Sequence, residues 1–154
     1  MEIPMEIVEF EPAHAAAFKA LNEAWISKYF TLEAKDREVL GDPEGKIIAE
    51  GGRVFMAIQD GQPVGCAALL KMADGGYEVA KMTVSEALRG SGLGRLLMQH
   101  CIDAGAQMGA TRLYLETNSS LAPALGLYRA MGFRDLAPAE TAYARADVFM
   151  ARAY

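Results

Sequence analysis

The chain has 154 residues, 52% of them hydrophobic and 23% charged, which is the size and balance of one soluble domain over residues 1–154. A net charge of −5 with no basic stripe argues against a nucleic-acid or anionic-membrane partner, and no apolar run is long enough to span a bilayer. Cys66, Cys101, His14 and His100 lack ligand-like spacing, so free thiols and no metal are expected, and the Met1–Pro4 start does not read as a signal peptide, so the cytoplasm is the expected compartment.

Residues 5–10 alternate weakly and read as a first strand, and Glu11-Pro12 opens a helix, proline being harmless in a first turn. Phe18, Leu21 and Trp25 recur at helical spacing, as core packing or as the wall of a ligand site. Residues 28–40 read as a turn and a second short helix ending near Gly41-Asp42-Pro43, and residues 47–52 as a loop. Strands over 54–58 and 63–72 flank Asp60-Gly61, a favoured hairpin turn, and Asp74-Gly75-Gly76 leads into a third strand, Tyr77–Val84. A helix over about 92–108 carries Leu93, Leu96, Leu97, Cys101, Ala104 and Met108 on one stripe and stops at Gly109. Strand Arg112–Thr117 follows, so strand, helix and strand form a parallel unit with a right-handed connection. Asn118-Ser119-Ser120 offers a cap to a helix that carries Leu125, Tyr128 and Met131 and stops at Gly132. Residues from Phe133 onward, then 142–151, supply one or two closing strands. A meander followed by one crossover predicts an α/β (α+β) domain with a mixed, mostly antiparallel sheet.

The chemistry concentrates between the third strand and the helix after it. Arg89-Gly90-Ser91-Gly92-Leu93-Gly94-Arg95 bares N–H groups at a helix N-terminus, where the helix dipole also favours an anion such as a phosphate. It is not a P-loop, because Arg95-Leu96 stands where Lys-Ser or Lys-Thr is needed. It fits a dinucleotide fingerprint only in part: Gly90 and Gly92 match, Arg95 replaces the third glycine, and Glu116 lies where a ribose-binding acid would sit. Arg89-x-x-Gly92-x-Gly94 after a strand resembles the pyrophosphate loop of the GNAT superfamily of acyl-CoA-dependent N-acetyltransferases. Glu78–Val84 is similar to that family's central strand, and Leu115-Glu116-Thr117-Asn118 with Leu127-Tyr128 and Gly132-Phe133 to its next strand and helix. The resemblance covers residues 53–133 strongly and the preceding region faintly.

The resemblance implies a sheet of six or seven strands flanked by about four helices, with one splayed strand pair holding acetyl-CoA. Met82, Thr83 and Val84 would meet the pantetheine arm, Arg89, Gly90, Ser91, Gly92, Leu93, Gly94 and Arg95 the pyrophosphate, and Asn118 the cofactor beyond the splay. An amine would attack the thioester directly, without an acyl-enzyme. Tyr128 is matched to a hydroxyl that protonates the leaving thiolate, or else packs beside Leu125. Glu78 is the candidate base, or else an edge glutamate or an ion-pair partner of Lys81 or Arg53; strict alternation places it on one face with Ala80, Met82 and Val84. Trp25, Tyr29, Phe30, Glu33 and Asp36 would build the pocket for a cationic small-molecule or protein amine. A non-catalytic acyl-CoA-sensing module and a dinucleotide-dependent oxidoreductase are the rival readings, and pairing into a homodimer through the C-terminal sheet edge is left open.

Overall fold

The computed structural model describes residues 5–154, so the reading of Met1–Pro4 lies outside it. Seven strands form one sheet: β1 Met5–Glu9, β2 Arg53–Gln59, β3 Gln62–Lys71, β4 Tyr77–Val84, β5 Arg112–Thr117, β6 Arg134–Asp135 and β7 Val148–Ala153, in the order β1-β2-β3-β4-β5-β7-β6. Only β4 and β5 run parallel. The four α-helices are α1 Ala15–Tyr29, α2 Ala34–Gly41, α3 Leu93–Gln107 and α4 Ala122–Ala130. The mixed sheet and its single crossover are those predicted. No helix of the described residues is long and apolar enough to cross a membrane.

Both faces of the sheet are covered, which is why its central strands are apolar almost without interruption. Along β2, Val54 and Met56 join Phe18 of α1, Val39 of α2 and Cys66 of β3 on one face. Phe55 and Ala57 join Leu97 and Met98 of α3, Leu113 of β5 and Phe133 on the other. This is the period-two alternation of a strand. The Asp60-Gly61 hairpin forms as expected, with both residues at positive φ (51° and 76°), the requirement of the tight turn whose twist matches the strands.

Several local expectations are corrected. The first helix begins at Ala15, after a 3-10 turn over Pro12–His14 in which the Glu11 N–H donates to His14 Nδ1 at 3.0 Å. Residues 47–52 are not wholly loop: a π-helical turn over Glu44–Ile48 buries Ile47 against β2 and β3. On α3, Leu96 is 56% exposed, while Met98 and Ile102 are buried. Residues 142–147 do not pair into the sheet; β7 starts at Val148, and this segment folds back as a strap towards α2. Asn118 does not cap α4, whose cap residue is Leu121; its side chain instead receives the Ser120 N–H at 2.8 Å and donates to the Arg145 carbonyl at 2.7 Å.

Candidate active site

β4 and β5 pair over two rungs only, Tyr77↔Leu113 and Glu78↔Tyr114, and then separate. β4 runs on to Val84 and β5 to Thr117, so backbone groups on their facing edges are left without strand partners beyond Glu78. A bulge accompanies the separation. Cys66 pairs with Thr83 but Ala68 with Ala80, so Lys81 and Met82 together oppose one residue of β3. Lys81 takes φ 53°, an uncommon conformation for a side-chain-bearing residue, and its side chain turns towards α2.

The bulge overturns strict alternation along β4. Val79, Met82 and Val84 all pack with the α3 cluster, while Glu78 and Ala80 pair with Leu70 and Ala68 of the α1 cluster. Glu78 therefore keeps Ala80 as a companion and loses Met82 and Val84. Neither expected ion pair forms: Lys81 bonds Asp36, and Arg53 bonds Glu9.

The gap opens into a cavity of about 130 Å³, well under the roughly 300–1,000 Å³ of pockets that enclose a whole drug-sized ligand. A cavity of this size encloses a small group, not an entire cofactor. Glu78, Lys81 and Met82 line it from β4, Glu116 from β5, Tyr128 from α4, Trp25 from α1 and Phe30 from the cap that follows α1. Burial, then the nearby Glu116 carboxylate, raise the Glu78 carboxyl to about 7, with Lys81 opposing. Such a group exchanges protons near neutrality, as a general base must. Burial pushes the Tyr128 hydroxyl up to about 12, so it is a proton donor at neutral pH. Its ring meets Phe133 edge-on at 6.1 Å, and the residue lines the cavity.

The glycine turn lies where β4 delivers the chain to α3. Gly90 and Gly92 have φ of 79° and 91°, and a Cβ built on either meets nothing within 4 Å. The space beside them is free of the protein's own atoms. Gly92 is the cap residue of α3 without a side-chain cap; the Leu93 N–H makes a long 3.4 Å bond to Ser91 Oγ, and the following N–H groups of the first turn, at Gly94 and Arg95, receive no capping side chain. Arg95 is exposed, and Arg89 donates to the Tyr29 hydroxyl at 3.0 Å. A diphosphate fits this turn by charge and by space.

Not every expected residue reaches the cavity. Thr83 is buried opposite Cys66 with its hydroxyl unpartnered, Val84 packs towards α3, and Leu93 is core. Tyr29 sits outside, under Arg89. Glu33 accepts the Ala144 N–H at 2.9 Å and an Arg145 bond at 3.2 Å, so it anchors the strap outside the lining. Asp36 is fully buried, bonded by Lys81 at 2.7 Å and by both Arg145 terminal nitrogens at 2.7 Å. Burial alone would raise its carboxyl, but the Arg145 and Lys81 bonds outweigh it and hold the group well below the usual carboxylate range. Tyr143 and Arg145 also line the cavity, and no sequence pattern marked them; Glu116 and Lys81 were legible only in other roles. Both thiols are buried and free, and burial pushes each up to about 12, far from a usable nucleophile. Among the described residues no cluster of His, Cys, Asp and Glu is arranged to hold a metal ion.

Residues 14–133 match the model of the acetyltransferase (GNAT) family. The chain belongs to the GNAT family. It is 38% identical over 87 residues to an IAA acetyltransferase of Azospirillum brasilense, covering 56% of this chain and 57% of that protein. It is 37% identical over 99 residues to the streptothricin acetyltransferase of Streptomyces lavendulae, covering 60% and 52%. The chain thus spans little more than half the length of these relatives. Among solved structures, a GNAT acetyltransferase from Staphylococcus aureus superposes with a TM-score of 0.88 at 19% identity over 97% of this chain and 99% of the other. Membership of the GNAT family replaces the dinucleotide-oxidoreductase reading, and the Glu116 carboxylate, read there as the ribose-binding acid, is bonded to Tyr114 and Thr141.

Proposed function

We propose that the chain transfers an acetyl group from acetyl-CoA to a primary amine by direct attack, without an acyl-enzyme. One observation carries the reading: the two-rung parting of β4 from β5 opens beside an unfilled glycine turn, with Glu78 and Tyr128 on the walls of the same cavity. Family membership supports acetyl transfer in general.

In this reading the N–H groups around Gly92, Leu93 and Gly94, with Arg89 and Arg95, hold the diphosphate. Free backbone groups of β4 beyond Glu78, at the Lys81–Met82 bulge, align the pantetheine arm and polarise the thioester carbonyl. Asn118 lines the same cavity beyond the splay, its side chain held by bonds to the Ser120 N–H and the Arg145 carbonyl, which puts it in place for the cofactor. Glu78 takes a proton from the acceptor ammonium, directly or through water, and the free amine attacks the carbonyl carbon. The adduct's nitrogen gives up its second proton to water as the carbon–sulfur bond breaks, and the Tyr128 hydroxyl protonates the departing sulfur and is reprotonated from solvent. Thiolate is a good leaving group, so the larger burden falls on Glu78. Trp25, Phe30 and Tyr143 give the acceptor end aromatic walls, which suit a cationic amine on a small molecule or a protein.

Thermal shift and turnover test this reading together. CoA and acetyl-CoA raise the melting temperature and NAD does not. Thiol release is then detected with members of a panel of diamines, amino acids, aminoglycosides and peptide N-termini. Stabilisation without turnover on any amine leaves an acyl-CoA-binding module; no stabilisation overturns the site.

A further inference from the structure

Glu116 is the second carboxylate of the gap, and the proposed chemistry leaves it unused. It lies two residues beyond Tyr114, so the two side chains share a face of β5, and Tyr114 stands opposite Glu78 on the last rung of the parallel pairing. The Tyr114 hydroxyl bonds Glu116 Oε2 at 2.9 Å, and the Thr141 hydroxyl bonds Oε1. Both oxygens are thus fixed by neutral hydroxyls, and no cation pairs with this carboxylate among the described residues. Holding an uncompensated carboxylate on the wall of a small cavity has a cost, and two hydroxyl bonds to one side chain are a deliberate way to keep it there.

The other groups around Glu78 do not do the same work. From its own strand Lys81 faces it but is tied to Asp36 of α2, and from the strap Arg145 is tied to the same Asp36. Tyr114 of β5, Tyr128 of α4 and Tyr143 of the strap face it as neutral hydroxyls, each raised mainly by burial. α1 contributes Asn22, Trp25 and Ile26, and its cap contributes Phe30, none of them charged. Among the described residues, Glu116 is the one charge lining the cavity beside Glu78 that no ion pair compensates.

We propose that Glu116, pinned across the strand gap by Tyr114 and Thr141, is a positioning residue that sets the working charge state of Glu78. Its negative charge raises the proton affinity of Glu78, so the ionised carboxylate is a stronger base towards an ammonium, at the cost of being ionised in a smaller share of molecules below neutrality. This rests on Glu78 being the base, and the test separates the two ideas.

The Glu78 midpoint is read by carboxyl NMR in the free protein, and kcat/KM is followed against pH. Glu116→Gln removes the charge and keeps the shape; the midpoint falls by roughly half to one pH unit, and the ratio of kcat/KM at pH 6 to that at pH 8 rises about 2.5- to 5-fold. A purely structural loss lowers activity at both pH values and leaves the ratio alone. Glu116→Thr, neutral and favourable in a strand, gives the same downward shift, whereas Glu116→Asp, which keeps the charge, restores the wild-type midpoint. An unmoved Glu78 midpoint in both neutral variants overturns the proposal. A moved midpoint together with a fully active Glu78→Gln variant instead retires Glu78 as the base while leaving the coupling of the two carboxylates in place.

Discussion

At Glu78 folding and deprotonation oppose each other. The carboxyl has an ordinary value of 4.5 in the unfolded chain, and burial and Glu116 raise it to about 7 in the folded one. Between these values the native state binds the proton and the unfolded state has released it. Stability therefore falls as pH rises through this window, and the whole loss is in place above pH 7. Glu78→Gln removes the penalty. The variant is more stable than the wild type at pH 8 by on the order of 1–3 kcal/mol and gains nothing from this source at pH 4.5, as read by urea unfolding at the two pH values. Its kcat/KM falls by roughly a hundredfold or more, and the remaining activity loses the limb near neutrality. Equal stability of the two proteins at pH 8 would mean that water reaches this carboxyl freely in the folded state. Alternation along β4 was enough to place Glu78 on a covered face. It was not enough to name its companions, because the residues on either side of the Lys81 bulge are apolar in both registers, and nothing in the pattern records the extra residue.

The turn between β4 and α3 shows how one element can serve two ends at once. Gly94 lies in the first turn of α3, its φ is ordinary for a helix, and a Cβ built there meets only Leu127 Cδ2 at 3.8 Å. A side chain costs the apo fold little at this point. A carboxylate near the helix N-terminus even favours the helix by about 0.3–1 kcal/mol through its interaction with the dipole. The same carboxylate would occupy the field of the proposed diphosphate site. Gly94→Glu is therefore at least as heat-stable as the wild type without ligand, yet binds acetyl-CoA more weakly by roughly a hundredfold, measured by calorimetry. A variant that binds acetyl-CoA normally would remove this turn from the cofactor site. Elements of this kind were legible because their signals are local: a strand end, three glycines and an apolar helix stripe lie within a few residues of one another. The two hairpins and the parallel crossover were legible for the same reason. The π-helical turn at Glu44–Ile48 was not, because no composition distinguishes it from a loop, and it is held by the packing of Ile47 on the sheet.

Across the whole molecule, the acceptor side of the site is assembled from segments that no local pattern connects. Asp36 meets Lys81 at a sequence separation of 45 and Arg145 at 109. Residues 142–147, apolar enough in part to read as a strand, are drawn out of the sheet by Arg145 on Asp36 and Glu33, by Ala144 on Glu33, and by Asp147 on Ser119. Glu33 and Asp36, expected to bind an amine ligand, instead receive the protein's own cations. The fold thus joins α2, the β4 bulge and the strap at a single fully buried carboxylate. A buried ion pair adds little net stability over an apolar replacement of the whole cluster, but removing one partner leaves the others charged and uncompensated. Asp36→Ala should cost about 3–5 kcal/mol in urea unfolding, several times the effect of an exposed pair such as Arg129–Asp135. The cost should be uneven. With Asp36 gone, the strap loses both Arg145 bonds to the buried carboxylate while the sheet and the α3 face keep theirs, so limited proteolysis should cut first within residues 138–146. In the acetyl-transfer assay the KM for the amine should rise while acetyl-CoA affinity stays near that of the wild type, since the glycine turn touches none of these groups. Proteolysis and acceptor KM both unchanged in a folded Asp36→Ala protein would show that the strap is held by its backbone contacts alone and that this carboxylate is not the joint between the cofactor and acceptor halves.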